Sequence, residues 1–140
     1  MPNGNPNSII EAVRQFFTLS PVLKDYGVNV DFLPNTPAYS IDVVPGDPVY
    51  KRYVDGGVIY QLNFTFTANM EADGDPRTMT ANQDFFQELL DWVASCDKSC
   101  AFPYLPDHKV IRLQIISSGY LFNDGGDLAA YQAGFRLLYL

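Results

Sequence analysis

Apolar residues recur with a helical period near the start of the chain and with an alternating period afterwards. The helical positions are Ile9, Ile10, Val13, Phe16 and Phe17. A capping box of Ser8 and Glu11 would begin this helix. Ser20-Pro21 would end it, because a residue before proline avoids the helical region. The first element is therefore predicted to be a helix with one apolar face.

Alternation of apolar and polar residues predicts the first two of six expected strands, and turn signals and apolar runs predict the others. They are expected at residues 28–32, 39–43, 49–54, 58–69, 110–117 and 130–140. Pro45-Gly46-Asp47-Pro48 separates the second strand from the third, and Asp55-Gly56-Gly57 closes a hairpin between the third and the fourth. Short polar turns favour antiparallel pairing.

A second helix is predicted between the fourth and fifth strands. Thr80 and Gln83 form its capping box. Its broad apolar side carries Phe85, Phe86, Leu89, Leu90, Trp92 and Val93. The element order is thus α-β-β-β-β-α-β-β, and two helices would cover one face of a sheet. The chain of 140 residues is expected to form a single α+β domain over residues 1–140.

The last strand carries apolar residues on both of its faces. One face holds Tyr131, Ala133, Phe135, Leu137 and Tyr139, and the other holds Ala130, Leu138 and Leu140. Strands of this kind are usually buried on both faces. Two explanations stay open: a further cover within the monomer, or a subunit interface.

Composition excludes some classes of function. The net charge of −7 and the pI near 4.4 argue against a general nucleic-acid binder. No signal peptide and no apolar run long enough to span a membrane are visible, so we expect folding inside a cell. The hydrophobic fraction of 47% suffices for a core without disulfides or metal.

The candidates for chemistry are incomplete as motifs. Cys96, Cys100 and His108 supply three zinc ligands where a structural site needs four, so ordinary thiols are the expected state. His108 is the only histidine and lies in an irregular segment, which favours a solvated surface residue. No nucleophile elbow and no glycine-rich phosphate loop is present. We expect no catalytic, cofactor-binding or metal-binding residues.

Two acidic segments lack the spacing of a calcium loop. Glu71, Asp73 and Asp75 lie in the polar segment 71–77, and a second group lies at 124–127. Both are interpreted as solvated loops. Arg52, Arg112 and Arg136 lie on predicted strands, where they serve either a solvated outer face or a subunit contact.

Several short blocks resemble a known family. They span residues 7–17, 40–45, 49–57, 116–122 and 131–137. In this order they resemble phage and prophage morphogenesis proteins of Gram-positive hosts, which are labelled minor capsid or tail proteins and are similar to siphophage tail terminators. The resemblance covers about residues 7–139, and none of its blocks carries chemistry.

The resemblance implies a structural α+β subunit that forms a ring, expected to be a hexamer, at the head-proximal end of the tail tube. The ring would stop tube growth and join tail to head in the neck of the virion, after assembly in the host cytoplasm. The implied partners are further copies of the chain, the major tail protein of the tube and a head-completion or stopper protein. DNA would pass through the lumen without specific binding.

Other readings stay open beside this one. The chain could be another head–tail connector, a stopper or minor capsid subunit, or a tail-tube subunit. A small enzyme and a host-side binding module are the alternatives from other classes. The candidate interface residues for a ring are Tyr50, Arg52, Tyr60, Tyr131 and Arg136.

Overall fold

The computed structural model describes residues 6–23, 28–30, 38–71, 75–123 and 128–140. It contains two helices and six strands in the predicted order. These are α1 (Pro6–Thr18), β1 (Val28–Val30), β2 (Ala38–Val43), β3 (Val49–Arg52), β4 (Val58–Glu71), α2 (Pro76–Ser99), β5 (Val110–Asn123) and β6 (Leu128–Tyr139). Residues 72–74 and 124–127 of the expected acidic loops lie outside the described residues.

The strands form one sheet in the order β1-β2-β4-β6-β5, and β3 pairs with β4 beside β2. Only the β1–β2 pair is parallel among the described pairs. The predicted antiparallel α+β fold is therefore confirmed. β5 is longer than expected, because its pairing with β6 continues to Asn123.

β4 owes its length of 14 residues to pairing on both of its sides within the chain. One side pairs with β6 from Tyr60 to Glu71. The other side pairs with β2 and then with β3, around the break at residues 45–48. The N–H of Val44 donates to the Asn63 oxygen at 2.9 Å. The length of this strand therefore needs no partner subunit.

Each helix begins at a proline, earlier than predicted. Proline suits the first helical position, since its missing N–H has no intrahelical acceptor there. α1 begins at Pro6, so the predicted N-cap at Ser8 was wrong. Glu11 instead accepts a hydrogen bond from Nε of Arg14 at 2.8 Å.

α2 begins at Pro76, so Thr80 is not its N-cap as predicted. Asp75 has this role, because its side chain accepts a hydrogen bond from the N–H of Arg77 at 2.9 Å. Asp75-Pro76 therefore combines a good N-cap with a proline at the first helical position.

Both helices cover the same face of the sheet. The ring of Phe17 in α1 lies 5.4 Å from that of Phe66 and 5.7 Å from that of Phe135. Phe85 of α2 stacks on Tyr39 at 5.7 Å. These rings belong to a single apolar core. We call this side the helix-covered face and the other side the open face.

β6 is buried on both faces within the single chain. Leu138 and Ala130 alternate with the core residues and thus lie on the open face, yet they are only 5% and 3% exposed. For Ala130 and Leu138 the structure supports cover within the monomer, whereas Leu140, just after the strand, is 48% exposed.

Candidate interaction surface

The residues considered for metal binding do not come together. Cys96 is buried and Cys100 is exposed at the end of α2. Burial raises the pKa of the Cys96 thiol. Within the described part of the chain, no group of three or more His, Cys, Asp and Glu residues could hold a metal ion.

His108 contacts the end of β6. Its Nδ1 lies 3.0 Å from the backbone oxygen of Leu140, and its ring lies 5.0 Å from that of Tyr139. A cleft of about 300 Å³ lies between this segment and α1. Glu11 also lines the cleft, but its carboxylate is bound by Arg14. His108 is thus half-buried, with a structural contact.

Two of the five predicted interface residues lie on the helix-covered face. Tyr131 is 3% exposed, and its ring lies 5.2 Å from that of Phe86 in α2. Tyr60 is half-buried and stacks on Tyr139 at 5.6 Å. The structure therefore places Tyr131 in the core, where it is not available to a neighbouring subunit. The reason is that β6 is an inner strand whose odd-numbered residues face the helices.

Two other predicted residues meet on the open face. The guanidinium of Arg136 lies over the ring of Tyr50, with 5.3 Å between its carbon and the ring centre. Nε of Arg136 also donates to Oδ1 of Asn63 at 3.2 Å. The pairing register shifts between Val49 and Lys51, so Tyr50 lies at a β-bulge. β-Bulges commonly change the direction in which a side chain points. Here Tyr50 is 43% exposed and lies against Arg136.

The fifth predicted residue, Arg52, lies in the hairpin tip, which we define as residues 50–57. The turn is closed by a hydrogen bond from Tyr53 N–H to the Gly57 oxygen at 2.8 Å. The N–H of Gly57 donates to Oδ1 of Asp55 at 2.9 Å. Gly56 has a φ of 95°, a conformation that L side chains rarely adopt. The turn is therefore well defined by its own bonds.

This turn presents apolar side chains to solvent. Val54 is fully exposed, and Tyr53 is 46% exposed. Nζ of Lys51 lies 5.0 Å from the centre of the Tyr53 ring. The hairpin tip therefore combines an apolar end with the exposed cations Lys51 and Arg52.

The outer edge of β5 is partly blocked by α2. Asp97 accepts a hydrogen bond from the N–H of Leu113 at 2.9 Å and pairs with Arg112 at 2.9 Å. Burial alone would raise the pKa of Asp97, but the bonds from Arg112 and Leu113 outweigh it and hold that pKa below its usual value. A carboxylate on the edge N–H blocks strand addition at this point. The sequence left open whether Arg112 lies on a solvated face or in a subunit contact. In the structure, Arg112 pairs with Asp97 of its own chain.

A cleft with both polar and apolar lining residues lies beside this blocked edge. Its volume is about 390 Å³. It is lined by Ala94, Asp97, Arg112, Leu113, Gln114, Ile115, Ile116 and Arg136. We call it the α2–β5 cleft. Ile115 and Ile116 are 39% and 50% exposed. Sequence reasoning missed this pair, although two adjacent isoleucines in an edge strand indicate that one of them faces away from the core.

Comparisons with known proteins add no family assignment. No protein-family model matches the chain, and no curated protein matches it. Among the described helices, none is long and apolar enough to cross a membrane.

Proposed function

We propose that this chain is the structural subunit of a phage tail terminator. Copies of it would form a ring, with six-fold symmetry as the expected arrangement, at the head-proximal end of the tail tube. The ring would stop tube growth and join the tail to the head. The sequence blocks described above support this proposal, and the surfaces of the fold support the assembly it requires.

The observation that carries the proposal is the position of two exposed surfaces near this end of the sheet: the hairpin tip at the β3 edge and the α2–β5 cleft at the β5 edge, with Arg136 of the inner strand β6 between them. At this end of the sheet the strands run β3, β4, β6, β5. The register connects Val49 to Tyr60, Tyr60 to Tyr139 and Tyr139 to Val110. Three strand spacings, or about 14 Å, therefore separate the hairpin edge from the β5 edge.

Two different surfaces on opposite edges suit head-to-tail contacts. A ring forms when each subunit uses one surface to bind its neighbour's other surface and the rotation closes. An isologous dimer would instead use one patch twice. The hairpin tip and the α2–β5 cleft differ in shape and composition, which favours the ring.

The charge of the chain suits the passage of DNA. With a net charge of −7, a ring of several copies would repel phosphates along its lumen. We therefore expect no specific affinity for nucleic acid. The proposed partners are the major tail protein below the ring and a head-completion or stopper protein above it.

A structural role agrees with the state of the ionisable side chains. Glu11 binds Arg14, Asp97 binds Arg112 and the N–H of Leu113, and His108 contacts the backbone of Leu140. Each of these groups has a partner that stabilises the fold. We accordingly propose no catalytic step and no cofactor.

Gold-labelled antibodies against the chain, applied to intact phage particles, would test this proposal. The expected result is label confined to the joint between head and tail. Label along the whole tube would instead identify a tube subunit, and absence from the particle would contradict a virion role. Antibodies against the major tail protein, which should label the full tube, are the control.

A further inference from the structure

Arg136 is a half-buried cation whose contacts are neutral. Its Nε donates to Oδ1 of Asn63 at 3.2 Å, and its guanidinium lies over the ring of Tyr50. Among the described residues, Arg14 and Arg112 form ion pairs with carboxylates, and Arg136 does not. An arginine carries five N–H donors. The terminal nitrogens of Arg136 are therefore left to donate to an acceptor from outside the chain.

A second arginine and an amide lie beside Arg136 at the α2–β5 cleft. Arg136 is paired directly with Gln114 on β5, and Arg112 is paired with Leu138, two residues further along β6. Arg112 and Arg136 are thus diagonal neighbours on the β5–β6 ladder, a separation that long side chains can bridge. Arg112, Gln114 and Arg136 all line the cleft. The three side chains together offer N–H donors to one bound group.

The charges around the cleft favour a ligand with a single negative charge. Asp97 is the only carboxylate among the described residues that line the cleft. It already accepts hydrogen bonds from Nε and Nη2 of Arg112 and from the N–H of Leu113. Two arginines and one aspartate leave one net positive charge, that of Arg136. A carboxylate balances this charge, whereas a phosphate dianion or a nucleic-acid chain would bring more negative charge next to Asp97.

Two isoleucines give the cleft an apolar part beside these donors. Ile115 and Ile116 are 39% and 50% exposed, and both line the cleft. The side chain of Arg112 is 53% exposed, so a small free carboxylate would keep much of its contact with water. A ligand that also covers the isoleucines binds more strongly, because it removes apolar surface from water. The chemistry of the cleft therefore fits a carboxylate that is joined to an aliphatic group.

We propose that the α2–β5 cleft binds a peptide segment of a partner protein in which an aspartate or glutamate lies next to an aliphatic side chain. The carboxylate accepts hydrogen bonds from Arg136 and Gln114, and the aliphatic side chain covers Ile115 and Ile116. Charge-assisted bonds from arginine to a carboxylate are strong and directional. Tyr50 and Asn63 hold the guanidinium in place. This binding site goes beyond the terminator function and does not depend on it.

Titration of the labelled protein with short peptides, followed by nuclear magnetic resonance, tests the site. The probe is acetyl-Leu-Glu-amide, and the neutral acetyl-Leu-Gln-amide is its matched control. The Nε–H signals of the arginines report on the charged part of the cleft, and the isoleucine methyl signals report on the apolar part. We expect saturable shifts at Arg136 and Ile116, and an affinity at least about tenfold higher for the glutamate peptide. Equal affinities for the two peptides would overturn the proposal.

Substitutions locate the binding site within the protein. Arg136→Gln should lower the affinity for acetyl-Leu-Glu-amide by about tenfold. Arg77→Gln is the matched control and should leave it unchanged, because Arg77 is exposed in the first turn of α2 and does not line the cleft. Ile116→Ser should lower the affinity by about threefold, and this half-exposed position also serves if Arg136→Gln does not fold. Far-UV circular dichroism checks the fold. Unchanged affinity in Ile116→Ser, or an equal loss in Arg77→Gln, would contradict the site.

Two further probes separate this ligand from its chemical alternatives. Inorganic phosphate and the free aliphatic carboxylate 3-methylbutanoate should both bind more weakly than acetyl-Leu-Glu-amide. Tighter binding of phosphate would overturn the assignment to a carboxylate, and equally tight binding of 3-methylbutanoate would show a small-molecule site and overturn the assignment to a peptide. These results are independent of the particle experiment, since label at the head–tail joint tests the terminator and the titration tests only the cleft.

Discussion

Arg136 in β6 and Tyr50 in β3 contact each other across β4, with 5.3 Å between the guanidinium carbon and the ring centre. The same guanidinium donates to Asn63 on the intervening strand. The base of the hairpin is thereby attached to the open face of the sheet. The hairpin is accordingly held by the sheet at its base and by turn hydrogen bonds at its end.

We predict that Tyr50 and Arg136 are energetically coupled. A double-mutant cycle with Tyr50→Ala and Arg136→Ala should give a coupling free energy of about 0.5–1 kcal/mol in urea unfolding, as expected for an exposed cation–π pair. Tyr50→Phe keeps the ring and should retain the coupling with Arg136. Strict additivity of the two alanine substitutions would show that the ring and the guanidinium do not interact.

Asp97 is expected to stabilise the β5 edge. Asp97→Ala should lower the free energy of unfolding by about 1–3 kcal/mol, because the N–H of the buried Leu113 loses its acceptor. Asp97→Asn retains an oxygen acceptor and should cost less. Denaturant unfolding measures the free energy of unfolding of both variants. An equal loss for both would show that the stabilisation comes from the charge of Asp97 and not from its oxygen as an acceptor.

The stability from Asp97 should depend on pH with a defined sign. Its pKa is lower in the folded chain than in the unfolded chain. The stabilisation is therefore present above the unfolded pKa of about 3.9 and is lost as the pH falls through the lower folded pKa. The stability difference between the protein and Asp97→Asn should be constant near pH 6 and shrink below about pH 4. A difference that grows on acidification would contradict this assignment.

A larger residue at Gly134 is expected to lower stability while Ser117 is present. A Cβ at Gly134 would lie 2.7 Å from Oγ of Ser117, the atom that accepts the Gly134 N–H at 2.9 Å. Gly134→Ala should cost about 1–3 kcal/mol of unfolding free energy, as overpacking does. The cost should fall in a Ser117→Ala background, where the hydroxyl is absent. If Gly134→Ala costs the same unfolding free energy in the Ser117→Ala background, the contact with the Ser117 hydroxyl is not the cause.

Tyr131 should behave as a core residue. Its hydroxyl is buried and has no hydrogen-bond partner in the described part of the chain. Tyr131→Phe should therefore leave stability unchanged or raise it by about 1 kcal/mol, since an unsatisfied buried group is removed. Tyr131→Asp should unfold the chain, because it buries a charge under α2. A folded Tyr131→Asp variant would contradict the assignment of Tyr131 to the core.

Local patterns predicted the element order and the coverage of one sheet face by both helices. Positions such as Phe17 and Phe85 repeat at helical spacing and do reach the core. The helix starts were missed because Pro6 and Asp75-Pro76 were assigned to turns. Proline ends a helix when it follows one but suits the first helical position, and the surrounding sequence favours neither role strongly.

The interaction surface was harder to predict, since it depends on strand order. Tyr131 and Tyr50 are both tyrosines in alternating segments, yet one lies under α2 and the other at an exposed bulge. Ile116 is exposed because β5 is an edge strand, which becomes evident only once the order β4-β6-β5 is known. Pairing between distant strands is the information that a local pattern lacks.

The most direct test of the terminator proposal is the length of tails in lysates of a phage that lacks the gene, measured by electron microscopy. The proposal predicts filled heads without attached tails, together with tails of uncontrolled length. Supplying the wild-type chain in trans should restore tails of uniform length joined to heads. Tails of normal length attached to heads in the deletion would contradict the terminator function.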